Sequence, residues 1–156
     1  MSEDEFKRSI AIVMPAEHRD SNPGSHCTVM YLGEIGDVDF TKSQVELVVE
    51  KLRKRWGQLF ISNGIHVWNR GYSCFGQERD KLVAILPADD ERIGDIHDHA
   101  EYYLGHRGIK SASNFDYRPH VTLGVAKDIN TMYLPNSQLF TLYKPVLWWG
   151  DERPKR

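Results

Sequence analysis

The chain has little cysteine, almost no net charge and no long apolar run. Two cysteines in 156 residues, without a secretory-type start, predict reduced thiols and no structural disulfide. A net charge of −2 argues against a long duplex nucleic acid as partner, since such binding relies on a strongly basic surface. No apolar stretch approaches the roughly 20 residues of a membrane helix. The acidic start, Met1 to Glu5, is unlike a signal peptide, so we expect no membrane partner and a cytoplasmic location.

The length predicts one domain over residues 1–156, large enough to bury its own core. Basic side chains cluster only in two short places, and neither forms a long stripe. Both clusters are expected to be solvated surface: Lys51, Arg53, Lys54 and Arg55 in the first, and Arg153, Lys155 and Arg156 in the second.

Two short stretches, His26-Cys27-Thr28-Val29 and His120-Val121-Thr122-Leu123, repeat one pattern. In a strand, side chains two residues apart share a face and lie about 6.6 Å from each other, so each stretch has a histidine and a threonine on one face. A structural core histidine explains one such stretch, but coincidence produces two His-x-Thr pairs in only about 2% of such chains. The same alternation points Cys27 away from the polar face, so it is predicted to be a core residue and not a nucleophile.

The apolar pattern predicts the order strand, strand, helix, strands, helix, strand, strand. A period of 3.6 indicates one helix over 41–56, capped by Thr41 or Asp39 and ended by Gly57, and another from Ala88 to Leu104. The predicted strands are Ser9 to Met14 closed by Pro15, His26 to Gly33, Leu59 to Trp68, Lys81 to Leu86, His120 to Val125 and one or two within Gln138 to Trp149, with room for a further short strand in 69–77.

The run His97-Asp98-His99 on the second predicted helix has metal-ligating residue types. Helical residues two apart point about 200° away from each other, so the two imidazoles cannot share one ion. We interpret the run as a solvated helix surface. Neither a metal nor a cofactor is expected.

The two motifs, the second preceded by Pro119, resemble the paired His-x-Thr-x signatures of the 2H phosphoesterase superfamily, the LigT-like and cyclic phosphodiesterase-like proteins. Phe75-Gly76 is similar to the mid-chain Phe-Gly of many members, and the stretch from Phe115 to Gly124 is similar to their second motif with its flanks. The element order over 9–149 also agrees. The chain looks particularly similar to phage proteins described as RNA ligase or cyclic nucleotide phosphodiesterase.

The resemblance implies an α+β, bilobal fold in which two pseudosymmetric antiparallel sheets form a central cleft, with helices packed outside and one His-x-Thr from each lobe. Members of the family act without metal on cyclic phosphates and 2′-5′ linkages. Carried over by position, His26 and His120 are the catalytic residues, and Thr28 and Thr122 bind phosphate. The partner implied is a small nucleotide, a cyclic oligonucleotide or an RNA 2′,3′-cyclic end.

These residue types suit phosphodiester hydrolysis, because imidazoles serve as acid or base near neutral pH and hydroxyls donate hydrogen bonds to non-bridging oxygens. The sequence does not assign which histidine is the acid. Arg118 is a further candidate for phosphate binding. Five aromatic residues are candidate base-stacking platforms: Trp68, Tyr72, Phe75, Trp148 and Trp149.

Several functions stay open at this stage. The leading hypothesis is hydrolysis of a cyclic or 2′-5′ nucleotide phosphodiester, including a phage enzyme that degrades cyclic oligonucleotide messengers of antiviral defence. The alternatives are processing of RNA 2′,3′-cyclic ends, a 2′-5′ RNA ligase-like activity, and nucleotide binding without turnover. Nothing in the sequence indicates an oligomeric state.

Overall fold

The computed structural model describes residues 8–113 and 116–154. The acidic start, Phe115 in the flank of the second motif, and Lys155 and Arg156 therefore lie outside the described residues. Within the described ranges the elements are β1 (Ser9–Glu17), β2 (His26–Glu34), α1 (Lys42–Leu59), β3 (Gly64–Trp68), β4 (Tyr72–Phe75), β5 (Lys81–Ile85), α2 (Glu91–Gly105), β6 (His120–Val125), a 3₁₀ helix (Ala126–Thr131), β7 (Leu139–Tyr143) and β8 (Val146–Trp149).

The strands form an antiparallel sheet in the order β3-β7-β1-β2-β6-β5-β4, and β8 also pairs with β1. This confirms the predicted α+β class. The two motif strands, β2 and β6, are direct neighbours, and Cys27 pairs with Val121 across them. The two halves of the sheet are therefore continuous, and each half contributes one motif strand to the junction.

The sheet is strongly bent. Strands β3 and β4 lie at opposite ends of the order, yet the four peptide units from Trp68 to Tyr72 span at most about 15 Å. This connecting segment extends the pairing at each end: the Asn69 amide donates to the Gln138 carbonyl beside β7 (3.2 Å), and the Gly71 carbonyl accepts from the Ile85 amide of β5 (3.0 Å). Both helices pack against the sheet in one core, which leaves the other face of the motif strands uncovered by helices.

The main core lies between the helices and one face of the sheet. The buried stripes of both helices repeat every three or four residues, as amphipathic helices require. Along β1 and β2, alternate residues point into this core, so their neighbours point to the uncovered face. Side chains in this core include Val45, Val48, Leu52 and Trp56 of α1, Ile93, Ile96, Ala100 and Leu104 of α2, and Ile10, Ile12, Met14, Cys27, Val29 and Val121 of the sheet.

A smaller apolar cluster lies on the uncovered face. It consists of Ala11, Val13, Val146 and Trp148, with Tyr31 packed against it. Since Ala11 and Val13 alternate with the core residues of β1, this cluster shares the face of the motif histidines. No helix among the described residues is long and apolar enough to cross a bilayer.

Strand ends differ from the predicted ones. Strand β1 continues through Pro15 to Glu17, because the next amide, that of Ala16, donates to the Ser25 carbonyl (2.9 Å) and keeps the pairing with β2. Strand β3 begins at Gly64 and not at Leu59, which belongs to α1. The short additional strand expected in 69–77 is present as β4.

Capping contacts and core packing determine where the two helices begin and end, and a single glycine does not end the first one. Thr41 caps α1 and forms a capping box with Gln44, but the helix runs through Gly57 to Leu59. Packing outweighs the low helix propensity of glycine here, since Trp56 is fully buried and its ring contacts Phe60 at 4.8 Å. Helix α2 begins at Glu91, because the Asp90 carboxylate accepts from the Arg92 and Ile93 amides.

Candidate active site

His26 is positioned by the turn that precedes β2. The Ser25 amide donates to the Asn22 carbonyl (3.0 Å), and the Asn22 side chain accepts from the Gly24 amide (2.8 Å). The turn presents the Gly24 carbonyl to His26 Nδ1 at 2.8 Å. Because a carbonyl oxygen only accepts, Nδ1 carries the proton, and in the neutral ring Nε2 is the basic nitrogen.

His120 is held by the same device at the start of β6. Its Nδ1 donates to the Arg118 carbonyl, two residues earlier, at 2.7 Å. Pro119 between them is buried, and its carbonyl accepts from the Leu86 amide at 2.9 Å. Both histidines thus have the same tautomer when neutral, with Nε2 available for chemistry.

The pairing of β2 with β6 brings the two motifs side by side. In antiparallel register about Cys27 and Val121, His26 lies opposite Thr122, and Thr28 lies opposite His120. Side chains directly opposite each other have Cβ atoms about 4.5–5.5 Å apart. The two imidazoles and two hydroxyls therefore form one polar group on the face that the helices leave uncovered.

Burial and neighbouring charges lower the pKa of both imidazoles. For His26 the main cause is burial, the Gly24 carbonyl opposes it, and positive charge on His120, Arg153 and Lys81 lowers the pKa further. For His120 burial again dominates, the Arg118 carbonyl opposes it, and Lys81 lowers the pKa. These shifts favour the neutral form of both rings, and protonation of one disfavours protonation of the other.

Two basic residues at this site were not predicted from the sequence. Lys81 begins β5, opposite Phe75 of β4, and the Phe75 ring contacts His120 at a centroid distance of 4.7 Å. Lys81 reaches the site because β5 pairs with β4 and β6, and no local sequence pattern encodes that pairing.

Arg153 is the second unpredicted basic residue, and the expectation that it is solvated surface is wrong. Its guanidinium lies 4.8 Å from the ring centroid of Trp148, whose ring is 4.3 Å from that of His26. Stacking on the indole keeps the arginine half-buried. The sequence did not indicate this role for Arg153, because the last basic cluster resembles an ordinary solvated terminus.

The other candidates are divided between the two faces. Phe75 and Trp148 contact the histidines, and Trp68 is 59% exposed on β3 at one end of the sheet. Tyr72 and Trp149 pack against the main core instead. The Tyr72 hydroxyl donates to the Pro135 carbonyl (2.6 Å), and the Trp149 ring contacts Phe40 (6.2 Å).

Arg118 contributes to the site through its backbone. Its carbonyl orients His120, and its side chain is exposed to solvent. The structure thus gives Arg118 a positioning contact that does not depend on its side-chain charge.

Cys27 lies in the core, as predicted. It is fully buried, and burial raises the pKa of its thiol to about 11, which suits a packing residue and not a nucleophile.

His97 is not on a solvated surface, and that expectation is wrong. Its ring stacks on Tyr117 (centroids 3.9 Å apart), and its Nδ1 donates to the Val29 carbonyl at 2.9 Å. The Tyr117 hydroxyl donates to the Thr28 carbonyl at 2.9 Å, so the pair links α2 to the back of the first motif strand. His99 turns elsewhere, to the Asp95 carbonyl. Among the described residues no three His, Cys, Asp or Glu side chains converge on a metal position.

Comparison with known proteins identifies the fold but not the function. No family model and no curated protein sequence matches the chain. The structure is similar to that of E. coli LigT complexed with 3′-AMP, with 14% identity, a TM-score of 0.50, and coverage of 90% of this chain and 97% of LigT. It is also similar to a phosphoesterase (16% identity, 90% and 97% covered, TM-score 0.48) and to the MHV ns2 PDE domain (11%, 90% and 89%, 0.47). The chain therefore shares the fold of LigT, as the resemblance of its two motifs implied.

Proposed function

We propose that this chain is a 2H-type phosphodiesterase that cleaves a cyclic or 2′-5′ nucleotide phosphodiester by acid-base catalysis. The observation that carries the proposal is the arrangement of the two motifs. Two His-x-Thr strands are antiparallel neighbours, and each histidine is oriented through Nδ1 by the carbonyl two residues before it. A merely structural histidine does not require this arrangement twice on one open face.

In the proposed reaction water attacks phosphorus in line with the leaving oxygen. One Nε2 accepts the proton from water as the new P–O bond forms, and the other Nε2–H donates its proton to the oxygen whose bond breaks. A neighbouring 2′-hydroxyl can replace water as the nucleophile. No step requires a metal ion.

The charges around the two rings favour His26 as base and His120 as acid. Lys81 lowers the pKa of both imidazoles, whereas Arg153 lowers that of His26 alone. When an anionic phosphate enters and draws one proton onto the pair, that proton is more stable on His120. His26 then stays neutral and accepts the proton of the nucleophile.

The threonines and Lys81 bind the phosphate in this proposal. Thr28 and Thr122 lie beside the opposite histidine of the pair, where their hydroxyls reach the non-bridging oxygens. Lys81 lies opposite Phe75, whose ring contacts His120, and its charge lowers the pKa of both imidazoles. These observations support a role for Lys81 beside a phosphate held between the histidines. An ammonium there stabilises the negative charge that grows in the transition state.

The substrate class is a small nucleotide with a cyclic or 2′-5′ phosphodiester. A phage enzyme that degrades cyclic oligonucleotide messengers of antiviral defence is favoured by the resemblance to phage proteins and by the net charge of −2. Processing of an RNA 2′,3′-cyclic end is the second candidate, and the complex of LigT with 3′-AMP supports it, since a nucleoside 3′-phosphate resembles an opened ring. Ligase-like activity ranks below both, because no nucleotidyl-transfer lysine motif is present.

A substrate panel in EDTA tests the proposal. Cyclic dinucleotides, cyclic trinucleotides, 2′,3′-cyclic AMP and a 2′-5′-linked dinucleotide would be incubated with the wild-type protein and the products separated by chromatography. We expect cleavage of at least one, and the relative kcat/KM values rank the two settings. Binding without cleavage of any member would favour a nucleotide-binding module, and activity lost in EDTA would indicate a metal mechanism.

A further inference from the structure

The turn after β8 holds a guanidinium next to the first catalytic strand. Arg153 stacks over Trp148 at 4.8 Å, and Trp148 contacts His26 at 4.3 Å, so one indole separates the arginine from the histidine ring. This is a place where an arginine binds anions well, because stacking fixes the plane of the guanidinium and its edge matches two phosphate oxygens.

The turn itself is well anchored. The Trp149 amide donates to the Glu152 carbonyl (3.0 Å), and the Arg153 Nε donates to the Gly150 carbonyl (2.8 Å). The Glu152 carboxylate forms an ion pair with Lys42 at the start of α1. Arg153 is therefore held before any ligand arrives, which reduces the entropy lost when an anion binds.

The position of Arg153 is not equivalent to that of Lys81. Lys81 begins the strand next to β6 and influences both histidines, whereas Arg153 approaches from β8, beyond His26. A phosphate gripped between the histidines is close to Lys81. Arg153 is better placed for an anion on the outer side of His26.

We propose that Arg153, supported by Trp148, forms a subsite for a second phosphate of the substrate, one nucleotide away from the phosphodiester that is cleaved. This inference rests on the proposed function and names its substrate class: a ligand with more than one phosphate, such as a cyclic oligonucleotide, and not a lone cyclic mononucleotide. Lys81 acts on the cleaved phosphate and Arg153 on its neighbour.

The test compares cyclic triadenylate, with its three phosphates, and 2′,3′-cyclic AMP, with one. Because both substrates use the same histidine pair, the ratio of their kcat/KM values cancels any effect of a variant on the acidity of His26. Arg153→Gln should lower the ratio of triadenylate to mononucleotide by about 10- to 100-fold, the loss expected for one charge-assisted contact. Arg153→Lys should recover part of it.

Two control variants separate this role from a general loss of charge. Lys81→Gln should lower the kcat/KM values of both substrates and leave their ratio nearly unchanged. Lys54→Gln removes an exposed charge from the outer side of α1 and should change neither value. Circular dichroism melts show whether each variant is folded.

A binding experiment makes the result independent of turnover. Both ligands would be titrated into the His120→Ala protein with and without Arg153→Gln, and selective weakening of triadenylate binding is expected. Equal losses for both ligands, or none, would overturn the second subsite even if the wild-type protein is an active phosphodiesterase. Conversely, if Arg153→Gln selectively weakens triadenylate binding but the wild-type protein cleaves neither ligand, the subsite stands and the proposed catalytic function is refuted.

Discussion

The two motif strands hold their histidines alike but surround them differently. His26 and His120 each donate from Nδ1 to the carbonyl two residues before them, at 2.8 and 2.7 Å. The side chains beyond the rings differ: Trp148 and Arg153 from the end of the chain adjoin His26, and Phe75 and Lys81 from its middle adjoin His120. Orientation is thus a property of each motif with the residues just before it, whereas the charged and aromatic groups near each ring come from distant parts of the sequence.

The largest predicted difference between the two histidines concerns the leaving group. With a nucleoside p-nitrophenyl phosphodiester, the departing phenolate needs no proton, so an acid is dispensable but a base is not. Replacement of either histidine by alanine should cost about 10²- to 10⁴-fold in kcat/KM on a substrate with a ribose leaving oxygen. On the p-nitrophenyl ester most of the loss should disappear for His120→Ala and persist for His26→Ala. The opposite pattern would exchange the two roles.

A second prediction concerns Lys81, the cation that influences both histidines. Lys81→Gln should lower kcat by about 10- to 100-fold, because the growing negative charge on phosphorus loses its nearest ammonium. Lys81→Arg should retain more activity than the glutamine variant, since it keeps the charge. Steady-state kinetics would measure both variants, and an unchanged kcat for Lys81→Gln would remove Lys81 from the phosphate site.

The pH profile of activity provides a third way to distinguish the surroundings of His26 from those of His120. The folded pKa values of both imidazoles lie below the ordinary 6.5, and removing a nearby positive charge should raise them. Activity should fall on the acidic side as His26 gains its proton and on the alkaline side as His120 loses its own. Arg153→Gln should move the acidic limb to higher pH, whereas Lys81→Gln should move both limbs. If both variants shift the same limbs equally, the assignment of unequal surroundings is wrong.

The smallest predicted effect concerns the back of the first motif strand. Tyr117→Phe removes a buried hydroxyl that donates to the Thr28 carbonyl at 2.9 Å, so the free energy of unfolding should fall by about 1–2 kcal/mol. Urea denaturation would measure the change. Tyr102→Phe, at a residue that is 61% exposed, serves as the control and should have almost no effect. A loss no larger than that of the control would show that the link from α2 to β2 does not stabilise the strand.

The element order was predictable because alternation and 3.6-residue periodicity are local properties, and the α+β fold class followed from the resemblance that the two motifs carry. The His-x-Thr parity separated Cys27 from the polar face, and the structure places it in the core. The helix-free face, the order of the strands and the pairing of Cys27 with Val121 depend on contacts between distant segments. These features could be determined only from the structure.

The same reason explains the misplaced side chains. Arg153 was expected in solvent because its neighbours in sequence are basic, but β8 brings Trp148 beneath it. His97 was expected on a solvated helix surface, yet it stacks on Tyr117, which is 20 residues away in sequence. In both residues a flat, partly apolar side chain finds an aromatic ring that local periodicity cannot reveal.

The central claim is that the two paired histidines perform acid-base catalysis on a phosphodiester. The most direct measurement is turnover of the best panel substrate in EDTA by wild-type protein, His26→Ala, His120→Ala and the control His106→Ala, an exposed histidine at the end of α2. The account predicts activity in wild type and His106→Ala, and a loss of at least about 100-fold in each of the other two folded variants. Near-normal turnover in either His26→Ala or His120→Ala would contradict it.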